Sequence, residues 1–129
     1  MLSMFTTKLW HNMNYKSDFD LDLSTGQQGE VLVHDMLQLS TIEVKTDFLA
    51  DKTGNIAVEF ESWSKPSGIA VTKARHWVFV IPNKIAIFVE TTRLKEIARR
   101  YYQDGRTVAG GDLNKSKMVL IPITELIHG

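Results

Sequence analysis

Two short stretches in which apolar and polar residues alternate constrain this chain more than anything else in it. Residues 41–47 read Thr-Ile-Glu-Val-Lys-Thr-Asp, and residues 55–62 read Asn-Ile-Ala-Val-Glu-Phe-Glu-Ser. A period of two belongs to a β-strand with one covered face. In the first stretch Ile42 and Val44 face one way, and Glu43, Lys45 and Asp47 the other. In the second, Ile56, Val58 and Phe60 oppose Glu59 and Glu61. The connecting Ala50-Asp-Lys-Thr-Gly-Asn55 is a turn signal. The two strands are therefore expected to form an antiparallel hairpin that shares its apolar face. One polar surface would then hold Glu43, Lys45, Glu59, Glu61 and Asp47, with Glu59 almost opposite Glu43.

Around this pair the remaining pattern is mixed. Residues 1–23 are polar and irregular, with acids at Asp18, Asp20 and Asp22, and read as an arm. Ser24 is a capping residue for a helix to about Gln38, with Leu32, Val33, Met36, Leu37 and Leu39 at helical spacing on its buried side. Pro66-Ser67-Gly68 breaks the chain, and a short helix is expected over 71–75. Strands follow at 76–82 and 84–90, joined at Pro82-Asn83. A helix over 92–104 buries Leu94, Ile97, Ala98 and Tyr101 and stops at Gly105. Residues 108–117 form a loop bearing glycines and lysines, and a strand over 118–123 leads to a short terminal helix. Helices and strands in this order give a mixed α/β or α+β class, in one domain for 129 residues.

Composition excludes several kinds of chemistry. There are no cysteines, so thiolate metal sites, disulfides and cysteine nucleophiles are out, and a reducing compartment fits. The start shows no signal-peptide pattern, and no apolar run approaches the roughly 18 residues of a membrane span. No Gly-x-x-x-x-Gly-Lys-Ser/Thr loop or His-Glu-x-x-His is present, which argues against a nucleotide cofactor and a zinc protease. Fifteen basic and fifteen acidic residues cancel, unlike a protein that merely coats nucleic acid.

Several carboxylates around one lysine suit a hard cation such as Mg²⁺, which takes a few carboxylates plus waters and phosphate oxygens. The lysine would hold or help deprotonate an attacking water, or offset charge on a phosphate. The plainer alternative is a solvent-exposed hairpin face with cross-strand charge pairs. Glu30 lies three and seven residues before Val33 and Leu37, on the same helical stripe, where a carboxylate needs a partner or a metal. His34, one turn on, reads as a surface or satisfied histidine.

A helix carrying Glu30, a short connection and then Glu43-x-Lys45 resembles the PD-(D/E)xK nuclease superfamily. More closely, Asp22-Leu-Ser-Thr-Gly-Gln-Gln-Gly-Glu30, Ile42-Glu-Val-Lys-Thr-Asp47 and Thr53-Gly-Asn-Ile-Ala-Val-Glu-Phe-Glu61 resemble small bacteriophage-encoded members. Ser67-Gly-Ile-Ala-Val-Thr-Lys-Ala-Arg-His-Trp77 and Ala109-Gly-Gly-Asp-Leu-Asn-Lys-Ser-Lys117 extend the likeness over residues 20–123. Archaeal-type Holliday-junction resolvases belong to the same superfamily. The resemblance implies a restriction-endonuclease-like core, a central mixed sheet flanked by helices. It also implies Mg²⁺-dependent hydrolysis of DNA phosphodiester bonds, with Mn²⁺ able to substitute, in the cytoplasm of a host cell. Glu43 then matches the carboxylate ligand, Lys45 the catalytic lysine and Glu30 the helix carboxylate.

One departure stands out. The superfamily has a metal-binding Asp on a strand between that helix and Glu-x-Lys, but only twelve residues separate Glu30 from Glu43. Glu59, Asp47 and Asp22 can each fill the role, with Glu59 preferred. A second register of the motif reads Glu59-Phe60-Glu61 as the carboxylate form, with Glu43 as the missing acid. Lys65, Ser67, Lys73, Arg75, Lys115 and Lys117 lie in or near loops that suit phosphate contacts. The charges of residues 93–100 read as a solvated helix face. Trp10, Trp63 and Trp77 read as core or interface rather than base-stacking platforms. Cutting two strands takes two metal clusters, so a homodimer is expected, with the apolar segments around Trp63, Trp77 and Phe88 as its interface. The alternative function is a nuclease-fold DNA-binding protein that has lost catalysis.

Overall fold

A computed structural model of the chain describes the backbone of residues 16–129 and the side chains of residues 26–129. Residues 1–15, with Trp10, and the side chains of Asp18, Asp20, Asp22 and Ser24 lie outside the described residues. The described chain falls into two units, a helix ending near Ser40 and a compact body of Thr41–Gly129.

The first unit is α1, Lys16–Gln38. It starts earlier than Ser24, and residues 16–23, read as an irregular arm, are helical in backbone. Of the expected buried stripe, Leu32, Val33, Leu37 and Leu39 are exposed and Met36 is half-buried. Three consecutive apolar residues at 31–33 spread around the helix instead of lining one side. No helix among the described residues is long and apolar enough to cross a membrane.

The second unit is an α+β body with two sheets. β1 (Ile42–Thr46) runs parallel to β4 (His76–Ile81), and β4 pairs antiparallel with β5 (Ile85–Glu90). The other sheet is antiparallel, in the order β3 (Lys65–Pro66), β2 (Asn55–Ser62), β7 (Ser116–Pro122), β6 (Thr107–Gly110). The expected hairpin between residues 41–47 and 55–62 therefore does not form. Glu43 stands opposite Trp77, and Glu59 opposite Met118. The cause lies in the connection. The Asp47 carboxylate accepts hydrogen bonds from the backbone N–H groups of Leu49 and Ala50 at 3.0 and 2.9 Å. This caps a one-turn helix, α2 (Ala50–Thr53), which Gly54 closes at φ 71°. The chain leaves β1 through a helical turn and enters a different sheet.

The core gathers Trp77, Phe79 and Ile81 of β4, Ile56 and Val58 of β2, and Val119 and Ile121 of β7. Leu94, Ile97 and Ala98 complete it from α3 (Thr91–Gln103), at the spacing of one helix face. β4 is a nearly continuous apolar run and the middle strand of its sheet. No α-helix forms over 71–75; one 3-10 turn lies just before it, at Gly68–Ala70. The stretch 108–117 holds β6 and a second 3-10 turn, Asp112–Asn114, rather than loop alone. A four-residue helix, α4 (Glu125–His128), ends the chain.

Candidate functional site

Strand pairing inverts the expected polarity of β1. Glu43 and Lys45 share the β4 face that carries Trp77 and Phe79, while Val44 points the other way and is 60% exposed. The charges thus lie against the core and the valine meets solvent, a reversal of the usual amphipathic strand. Lys45 Nζ stands 5.7 Å from the centroid of the Trp77 ring and 3.0 Å from Glu43 Oε1. Both side chains of that ion pair are 43% exposed, so it contributes under about 1 kcal/mol to stability. Its effect is to orient Lys45.

Lys45 opens onto a cavity of about 390 Å³ that Asp47 and Glu59 also line, with Trp77, Phe79 and Met118 in its walls. Asp47 and Glu59 come from different sheets. The Asp47 backbone N–H continues the β1–β4 ladder to the Val80 carbonyl at 2.9 Å. Its Oδ2 accepts the N–H of Ala57 in β2 at 3.1 Å. Asp47 therefore staples the two sheets together, and three backbone N–H groups occupy most of its lone pairs.

Glu59 is held differently. Its Oε2 accepts the Ser67 hydroxyl at 3.0 Å, and no described residue hydrogen-bonds its Oε1. The chain reaches this position because residue 68 is glycine: at φ 53°, a Cβ there would sit 2.2 Å from the Glu59 carbonyl oxygen. Trp77 lines the cavity, and its buried Nε1 has no hydrogen-bond partner among the described residues.

The remaining site candidates scatter. Glu30 is half-buried on α1, in the first unit. Glu61 pairs with Lys117 at 3.0 Å, so that lysine is already engaged. Ser67 is half-buried and spends its hydroxyl on Glu59. Lys115 Nζ lies 5.8 Å from the Trp63 ring. Lys65, Lys73 and Arg75 are exposed. Among the described residues, no three of His, Cys, Asp or Glu converge in a way that could hold a metal ion. The sequence reading missed the Trp77 and Phe79 floor, because their apolar run looks like any central strand. It also missed Gly68 as the residue that lets Ser67 reach Glu59; a glycine directly after the serine was the only signal.

Comparison with protein-family models, with curated proteins and with solved structures finds no match in any of the three.

Proposed function

We propose that this chain is a metal-dependent endonuclease of DNA whose reaction centre is the cavity lined by Lys45, Asp47 and Glu59. The observation that carries the reading is the inward turn of the β1 charges. A strand that sets a half-exposed ammonium group beside buried aromatics, with two carboxylates in the same cavity, places its charges where a ligand can reach them.

The donor set fits a hard cation in a limited way. Mg²⁺ commonly uses one or two protein carboxylates and fills its shell with waters and substrate phosphate oxygens. Glu59 Oε1 is the open oxygen, and Asp47 has little lone-pair capacity left. Mg²⁺ or Mn²⁺ bound there would polarise the scissile phosphate and acidify a water. The chain's own groups act around it. Glu43 holds Lys45 in place, the Lys45 ammonium stabilises negative charge on the phosphate, and Ser67 fixes the Glu59 carboxylate.

One observation favours the second reading, a DNA-binding protein without catalysis: the described acids do not converge as a three-ligand cluster. A single assay separates the two. Junction, flap, linear duplex and single-stranded DNA are incubated side by side with Mg²⁺, with Mn²⁺ and with EDTA. Metal-dependent cleavage that is lost in Glu59→Gln supports the nuclease. Binding without cleavage of any substrate supports the alternative.

A homodimer belongs to the same proposal, with a revised interface. Trp77 fills the core and is not available. The outer face of the β1-β4-β5 sheet carries Val44 and Phe88, the latter 41% exposed, on either side of Val78. That apolar row suits a two-fold contact.

A further inference from the structure

The tip of the β2–β3 hairpin combines three features that a simple turn does not need. The two-residue loop is Trp63-Ser64, and both residues have positive φ, 51° and 62°. Left-handed backbone of this kind favours glycine and asparagine, and L side chains with bulk rarely adopt it. The Trp63 ring is 57% exposed, so it adds little to the core. The Trp63 N–H donates to the Lys115 carbonyl at 2.9 Å, and the Lys115 ammonium lies near the ring face. The loop holding Lys115 repeats the pattern: Leu113 and Asn114 have φ 55° and 53°, and Leu113 is 79% exposed. Four of the five non-glycine residues with positive φ among those described thus sit in two loops joined by a hydrogen bond.

A turn alone would be better served by Asn-Gly than by a bulky exposed tryptophan. The charges around it define the ligand. Lys65, two residues on, is exposed and has no ion pair among the described residues, and Lys115 has none either. Against them stand the exposed Asp112 and the Lys117–Glu61 pair, which is internally neutral. A flat aromatic face with cations beside it is the chemistry that holds an unpaired base and its flanking phosphates. β2 carries Glu59 and ends at Ser62, directly before Trp63.

We infer that Trp63 is a stacking platform for an unpaired base, with Lys65 and Lys115 contacting the adjoining phosphates. This rests on the nuclease reading for its choice of DNA, and it narrows the substrate class to strands with a single-stranded or branched segment.

The test uses the full chain in EDTA at low salt, so that cleavage plays no part. Anisotropy of a labelled oligothymidylate and of a labelled blunt hairpin duplex is measured for wild type, Trp63→Phe and Trp63→Asn. Trp63→Phe keeps a ring and should bind oligothymidylate close to wild type. Trp63→Asn should weaken that binding about 10-fold, leave duplex binding unchanged, and keep or raise the melting temperature because asparagine tolerates the left-handed turn. The inference is overturned if Trp63→Asn binds oligothymidylate like wild type, if it loses duplex and single strand equally, or if wild type binds no single strand. Wild type that binds through Trp63 but cuts nothing with Mg²⁺ would sink the nuclease reading and leave the platform standing.

Discussion

Asp47 and Glu59 line the same cavity but should respond oppositely to substitution, because one is built into the backbone and the other is not. Asp47→Ala removes an acceptor from three N–H groups. The Leu49 N–H is exposed and can turn to water at little cost. Those of Ala50 and Ala57 are partly buried. A fully buried unsatisfied N–H costs about 1–3 kcal/mol, so at half burial each contributes about 1 kcal/mol. These bonds, that to Ala50 being part of the α2 cap, total about 2 kcal/mol. Asp47→Asn keeps an oxygen for the cap but sets an amide N–H against that of Ala57, for about half the loss. Urea unfolding followed by near-ultraviolet circular dichroism reads this directly. With a slope of about 1–3 kcal/mol per molar urea, Asp47→Ala should lower the midpoint by about 1 M or more. Glu59→Gln should change it by less than about 0.3 M, because Gln still offers an oxygen to Ser67. An Asp47→Ala midpoint equal to wild type would refute the view that this carboxylate staples the two sheets.

Glu43→Ala and Lys45→Ala should each cut DNA cleavage by about 100-fold or more, while stability changes by under about 1 kcal/mol because the pair is half exposed; normal turnover in either variant removes this centre. Calorimetry with Mn²⁺ should show binding to wild type and its loss in Glu59→Gln, whereas unchanged affinity would move the metal away from the open oxygen of Glu59. Light scattering at the concentration used for cleavage should give twice the chain mass for wild type and a single mass for Phe88→Asp, and a wild-type monomer would leave a nicking enzyme as the better reading.

The elements that the sequence predicts well are those whose own pattern settles their fate. α3 shows a helical apolar face in Leu94, Ile97 and Ala98 and a glycine stop at Gly105, and it forms within a residue of the expected span. β4 and β5 follow from an apolar run, a Pro-Asn turn and a second run. α1 was harder. A capping residue such as Ser24 also occurs inside helices, and in residues 16–23 the apolar Phe19, Leu21 and Leu23 recur every second residue, a strand-like rather than a helical spacing. The exposed Val31, Leu32 and Val33 show that apolar residues at partly helical spacing do not guarantee a buried side.

Alternation in residues 41–47 settles that a strand forms and which residues share a face, but not which strand it joins or which face turns inward. Adjacent strands pair in most proteins, and that prior favoured the hairpin. What overrode it was one side chain: Asp47 bonds forward to Leu49 and Ala50, making a helical turn too short to show any 3.6-residue period, and across to Ala57. The same residue that misdirected the pairing brings the second sheet within reach of the first. Lys45 of the β1-β4-β5 sheet and Glu59 of the antiparallel sheet meet at one cavity because Asp47 joins their strands, not because the strands pair. Of the charges expected on one hairpin surface, Lys45, Asp47 and Glu59 line this cavity, Glu43 reaches only Lys45, and Glu61 pairs with Lys117. The cavity exists only at the seam between two sheets, and a seam of that kind has no signature in either strand alone.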